Sequence, residues 1–196
     1  MKKMVIVVLF FAGIIAAHGA VFAADGETTV NREGFSFVLP DKWSVPKEEQ
    51  PTGKKKNKEE IVLITRDGIP LNKVVFSKRL VAAEFDHTKK KLSPGMMPQE
   101  MAGVVLNDFE LSEDMKNLQV LENKPATVAG IPGFRLAFSF RSQGTLLYQC
   151  VYYGFIKEGL FYSILFAAPK RHYFNANAGA FEQIIKSLTL NEQRGE

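Results

Sequence analysis

The segment from Gly133 to Leu188 does most to limit what this chain can become. Phe134, Leu136, Phe138 and Phe140 alternate there with Arg135, Ala137, Ser139 and Arg141. That two-residue period is the pattern of a strand with one buried face. Thr145 to Ile156 and Leu160 to Ala168 follow, apolar at nearly every position, around Lys157-Glu158-Gly159. A hairpin with no polar face needs cover on both sides. After Pro169 the period changes: Phe174, Ala178, Phe181, Ile184, Ile185 and Leu188 form one helical stripe, with Asn175 or Asn177 as the expected N-cap.

Upstream, Gly34 to Leu39 reads as a first strand with Phe35, Phe37 and Leu39 on one face, turned at Asp41-Lys42-Trp43. Residues 44–60 are polar, with Pro46, Pro51, Gly53 and the run Lys54-Lys55-Lys56-Asn57-Lys58, and read as a loop. Ile61 to Arg66 and Lys73 to Val81 form a second expected hairpin about Asp67-Gly68-Ile69-Pro70. Pro98 suits the first position of a helix, and Met101, Val104, Val105 and Phe109 recur at helical spacing to about Met115. Leu118 to Leu121 is a short strand or an extended lead-in, and Ala126 to Ala129 leads into a turn at Gly130-Ile131-Pro132. Hairpin-connected strands with two helices far apart in sequence predict an α+β fold, an antiparallel sheet with a helix on each side.

The first residues predict export. Lys2 and Lys3 precede an apolar run from Met4 to Ala17, and Val21-Phe22-Ala23 offers small residues for cleavage after Ala23. The run is shorter than the ~20 residues of a spanning helix. Residues 1–23 are therefore expected to leave, residues 24–196 to form one domain, and no stable membrane span to remain. With hydrophobic residues at 46% and charged residues at 23%, that domain can bury a core. Subtracting Lys2 and Lys3 from the formal +4 leaves +2, too small an excess to suggest nucleic acid as a partner.

Chemistry-bearing residues are sparse. Cys150 is the only cysteine, so no internal disulfide forms, and its apolar strand predicts an inert core thiol. Beyond the leader the histidines are His87 and His172, in neither a nucleophile nor a zinc motif. Joined by Asp86 or Glu84 they carry no ligand spacing, so no metal or other cofactor is expected. Gly130, Gly133 and Gly144 fit turns rather than a phosphate loop, and Glu59-Glu60 and Glu113-Asp114 need no catalytic role. The remaining candidates for ligand or partner binding are His87, Lys89, Lys90, Arg171 and His172, with Lys91 beside them. If their loops converged, these groups could hold a carboxylate, phosphate or lipid headgroup; otherwise they are solvated loop charges.

The segment Gly34-Phe35-Ser36-Phe37-Val38-Leu39-Pro40-Asp41-Lys42-Trp43, a strand running into a Pro-x-x-Trp turn, resembles the PsbP-like superfamily. So does the closing helix Phe181-Glu182-Gln183-Ile184-Ile185-Lys186-Ser187-Leu188. The resemblance spans about Thr28 to Leu190 in outline and implies the PsbP/DcrB-like α-β-α sandwich. Phe85 to Lys91 and Lys170 to Phe174 also resemble segments of a group of exported bacterial proteins without an assigned activity. Members of the superfamily are mostly accessory or binding proteins, which implies a non-catalytic periplasmic role with a protein or envelope component as partner. The alternatives are a carrier with a ligand pocket between sheet and helix, and an enzyme of unrecognised type.

Overall fold

A computed structural model describes residues 23–24, 27–46, 60–142 and 146–191. Its elements are β1 (Ala23–Ala24), β2 (Glu27–Arg32), β3 (Phe35–Leu39), β4 (Glu60–Ile64), β5 (Lys73–Leu80), α1 (Pro98–Glu110), β6 (Lys116–Val128), β7 (Ile131–Arg141), β8 (Leu147–Lys157), β9 (Leu160–Pro169), α2 (Tyr173–Ser187) and β10 (Thr189–Leu190). Six strands make one sheet in the order β4-β5-β9-β8-β7-β6, and four make a smaller one in the order β1-β2-β3-β10. Every strand pair is antiparallel.

The alternation in β7 sorts its side chains as expected. Phe134, Leu136, Phe138 and Phe140 join Cys150 and Tyr152 of β8 in a core with Met101, Ala102, Val105 and Leu106 of α1. On the other face Val151, Tyr153 and Phe155 of β8 and Tyr162, Ile164 and Phe166 of β9 meet Phe174, Phe181, Ile184 and Ile185 of α2. Val30, Phe35 and Phe37 of the smaller sheet extend this second core. The result is the expected α-β-α sandwich, with the small sheet lying in the α2 layer.

Tight turns explain the strand boundaries. Glu158 and Gly159 both have positive φ, 52° and 75°, the two-residue turn that matches strand twist. Ala129 and Gly130, at 49° and 78°, do the same between β6 and β7. The strand therefore starts at Ile131, and the turn lies one residue earlier than the sequence suggests.

Other elements differ from expectation. β2 was not foreseen, because Val30 is the only apolar residue in Glu27–Arg32. β6 is thirteen residues long rather than a short strand, with register shifts at Lys116/Gln119 and Val120/Glu122. As a sheet edge it is exposed along most of its length, which erases the alternation a buried strand displays. α1 ends at Glu110, and the Glu100 carboxylate accepts from the Met97 backbone N–H at 2.8 Å to close its first turn. α2 is capped at His172 rather than at Asn175 or Asn177. Asn177 lies buried inside the helix, donating to the Tyr173 carbonyl at 2.9 Å and accepting from Arg66 at 3.4 Å. Residues 1–22 of the leader and residues 47–59 of the polar loop lie outside the described residues, while Ala23, the last residue of the expected leader, lies in β1.

Candidate functional site

His87, Lys89 and Lys90 sit in the loop between β5 and α1, and all three are exposed. The loop is held by its backbone. Asp108 of α1 accepts from the main-chain N–H groups of His87 and Thr88 at 2.9 and 2.8 Å. The Phe85 N–H donates to the Lys90 carbonyl at 2.9 Å, and Lys89, with a φ of 57°, turns back so that its ammonium meets the Asp86 carbonyl. The Phe85 ring packs 6.3 Å from Phe161, and the Arg79 guanidinium lies 4.2 Å over the Phe85 ring. Lys91 pairs with Glu84 at 3.6 Å.

Arg171 and His172 are also exposed, but they follow the far end of β9 and lead into α2 on the opposite face of the sheet. Phe161, which anchors the first loop, is eight residues before Pro169. That is about 26 Å of strand. The two basic segments therefore do not converge into one anion cleft, and they belong to separate surfaces.

The structure assembles a different polar group, which sequence reasoning missed. Arg135 of β7 donates through Nε to the Tyr153 hydroxyl at 3.1 Å and bonds Glu122 of β6 through Nη1. Its Nη2 reaches Glu182 of α2 at 3.5 Å, and the Tyr153 hydroxyl donates to Glu182 Oε2 at 3.1 Å. Lys124 closes the set 3.3 Å from Glu122. Burial pushes the Glu122 carboxyl up, but the hydrogen bonds and charges of Arg135 and Lys124 outweigh it and hold the group below its usual value. Burial, and then Glu182, push the Tyr153 hydroxyl up. Each acceptor already has a donor, so the group acts as a clamp between α2 and the sheet.

A cleft lined by Phe35, Phe76, Phe155, Tyr162 and Leu188 has a cavity of about 10 Å³. This is room for roughly one water and far below the ~300 Å³ of a ligand pocket. Cys150 is fully buried, and burial pushes its thiol far up, away from the reactive thiolate. Among the described residues, no three His, Cys, Asp or Glu side chains group as metal ligands, and no helix is long and apolar enough to cross a membrane.

Two helices covering the opposite faces of an antiparallel sheet, each over its own core, define an α+β sandwich. More particularly, the chain has a PsbP-like fold. It is similar to cyanobacterial PsbP (CyanoP) of Synechocystis, with a TM-score of 0.58 at 12% identity over 91% of this chain and 100% of that one. LpqN of Mycobacterium tuberculosis, involved in cell envelope biogenesis, matches with a TM-score of 0.51 at 17% identity, over 85% of this chain and 91% of that one. The Ran-binding protein Mog1p of Saccharomyces cerevisiae matches with a TM-score of 0.53 at 8% identity, over 84% and 95%. No protein-family model matches the sequence, and no curated protein does. At these identities the likeness is one of fold.

Proposed function

We propose that this chain is an exported, non-catalytic accessory or binding domain of the bacterial envelope. One observation carries the reading. Both faces of β8 and β9 are filled by packed cores, so the chemistry available to a partner lies on β6, the loops and the strand ends. The cleft beside Tyr162 holds about one water, too little at that place for the ligand of a carrier. LpqN, with the same fold, is involved in cell envelope biogenesis, and Lys2-Lys3 followed by an apolar run to Ala17 supplies a leader that takes the chain out of the cytoplasm.

Cross-linked affinity capture from the native envelope fraction, with mass spectrometry of proteins and lipids, tests the proposal. A component recovered reciprocally, when it is itself used as bait, supports it. Turnover of a substrate by the purified chain, or stoichiometric recovery of a small ligand from its interior, overturns it.

A further inference from the structure

From its N-cap to its C-cap, α1 carries an apolar line that the sheet does not cover. Met97, Val104 and Leu111 recur at seven-residue spacing. Seven residues bring a helix to within about 20° of two full turns, so the three side chains run along one side for about 21 Å. Met101, Ala102, Val105 and Leu106 take the side that faces the sheet. Met97 and Leu111 are 62% and 61% exposed, and Val104 is half-buried. A seven-residue apolar repeat is the seam of a helix that packs along another helix.

The two flanks of this line differ in charge. Asp108, four residues after Val104 and three before Leu111, is its neighbour on one side. The Asp108 carboxylate accepts from the backbone N–H groups of His87 and Thr88, so the loop bearing Lys89 and Lys90 lies along this flank. Lys89, Lys90 and Lys91 outnumber Glu84 and Asp86 in that loop, which leaves the flank positive. Glu100 and Asn107 neighbour the line on its other side by the same spacings, with Glu110 beyond them. Both glutamates are exposed, and α1 contains no Lys or Arg. Its last turn therefore has no basic residue to face the negative end of the helix dipole.

An apolar line with one positive and one negative flank is complementary to itself. Two copies related by a two-fold axis parallel to their helices set the positive flank of each against the negative flank of the other. An axis across the helices, the antiparallel arrangement, sets like charge against like. We infer that α1 pairs side by side and parallel with α1 of a second copy, Met97, Val104 and Leu111 each meeting its own counterpart across the axis. The positive loop of each copy then adjoins the C-terminal end of the other's helix, which offsets the cost of like dipole ends standing together. α2 and the clamp around Arg135 lie on the far side of the sheet and stay open to a different partner. The pairing goes beyond the accessory-domain reading and does not depend on export.

Sedimentation of the chain as purified, from about 1 μM to about 1 mM, spans the range of weak protein association. A monomer–dimer equilibrium is the expected result. Leu111→Asp should weaken it about a hundredfold, roughly tenfold for each of the two copies, with the melting curve unchanged. Met97→Asp supplies a better N-cap, so it should raise the melting temperature while weakening the dimer, a pair of effects that a purely structural role does not produce. Lys90→Glu and Glu110→Lys should each weaken pairing, and the two together should restore most of it. Lys186→Glu, on α2, should leave pairing unchanged. Met97→Cys and Leu111→Cys should each form a disulfide with its own counterpart under copper–phenanthroline, while buried Cys150 stays inert.

Disulfides that form only when the two cysteine variants are mixed indicate the antiparallel arrangement and overturn the inference. So does a chain that stays monomeric at about 1 mM, or association that survives both Leu111→Asp and Met97→Asp. A monomer that still binds an envelope component ends the pairing alone and leaves the accessory role standing. A dimer that turns over a substrate does the reverse.

Discussion

At Ala129 the backbone turns through a φ of 49°, where the Cβ of an L residue crowds the following carbonyl. The hairpin tolerates this because Gly130 takes the second left-handed position and because Val128 and Ile131 pair on either side. Asparagine accepts the left-handed region more readily, so Ala129→Asn should stabilise the fold by about 0.5–1 kcal/mol, read as a higher urea midpoint with an unchanged slope. Cys150 is the opposite case, a residue fitted to its place. It pairs with Phe138 and Ala167, is fully buried, and has its thiol held protonated by burial. It should resist thiol reagents in the native state and react on unfolding, and Cys150→Ala should cost about 1 kcal/mol without loss of function. Rapid labelling of the native protein would show the strand to be open. Cys150 was legible in the sequence because apolar neighbours on a strand imply burial. Arg135 was not, because alternation marks it only as facing away from α1, and its partners come from positions 122, 153 and 182.

Those partners matter at the scale of elements. β6, β7 and β8 contribute Glu122, Arg135 and Tyr153 from adjacent registers, and α2 reaches down with Glu182. Tyr153→Phe keeps the ring against Phe181, 6.0 Å away, and removes only the hydroxyl that joins Arg135 to Glu182. A loss of about 1 kcal/mol is expected, concentrated in faster hydrogen exchange of α2. Acid should loosen the same junction. The unfolded Glu122 carboxyl titrates near its ordinary 4.5 and the folded one lower, so its contribution is complete above 4.5 and fades as pH falls through the folded value. Urea midpoints measured from pH 6 downward should fall less steeply in Glu122→Gln than in the parent chain. A parallel fall would assign the acid sensitivity to other carboxylates. β6 itself shows why edge elements escape sequence reading: exposure removes the apolar period, and Pro125 and the two register shifts mimic loop chemistry while blunting the edge against further pairing.

For the molecule as a whole, the legible part was the part buried on both sides. The runs in β8 and β9 foretold two cores, and the stripes of α1 and α2 foretold what covers them. The positions of Lys89, Lys90, Arg171 and His172 were not legible, because whether two loops meet depends on which end of β9 each adjoins, and no local pattern encodes that order. The same architecture sets a gradient of stability. β7, β8 and β9 have hydrogen-bonded neighbours on both edges and packed side chains on both faces, and Gly133 and Gly154 let β7 and β8 approach closely enough that a Cβ on Gly133 would stand 2.3 Å from the Gly154 carbonyl oxygen. β2 and β3 are joined to the rest through one face, through the Lys78 ammonium of β5 on the Glu33 carbonyl at 2.9 Å, through α2, where Ser187 accepts from the Val38 N–H at 3.0 Å, and through β10, where Ser36 meets Thr189 at 2.7 Å. Opening the small sheet exposes Phe35 and Phe37 but leaves the six-stranded ladder intact, whereas exchange in β8 requires both cores to open. Native-state hydrogen exchange should therefore show the amides of β8 and β9 exchanging only by global unfolding, β2 and β3 by a smaller opening, and β6 fastest of the long strands. Leu188→Ala, which hollows the junction between α2 and the small sheet, should destabilise by about 2–4 kcal/mol. It should also carry β2 and β3 into a separate, earlier unfolding step. Uniform acceleration across both sheets would mean instead that the two sheets unfold as one unit.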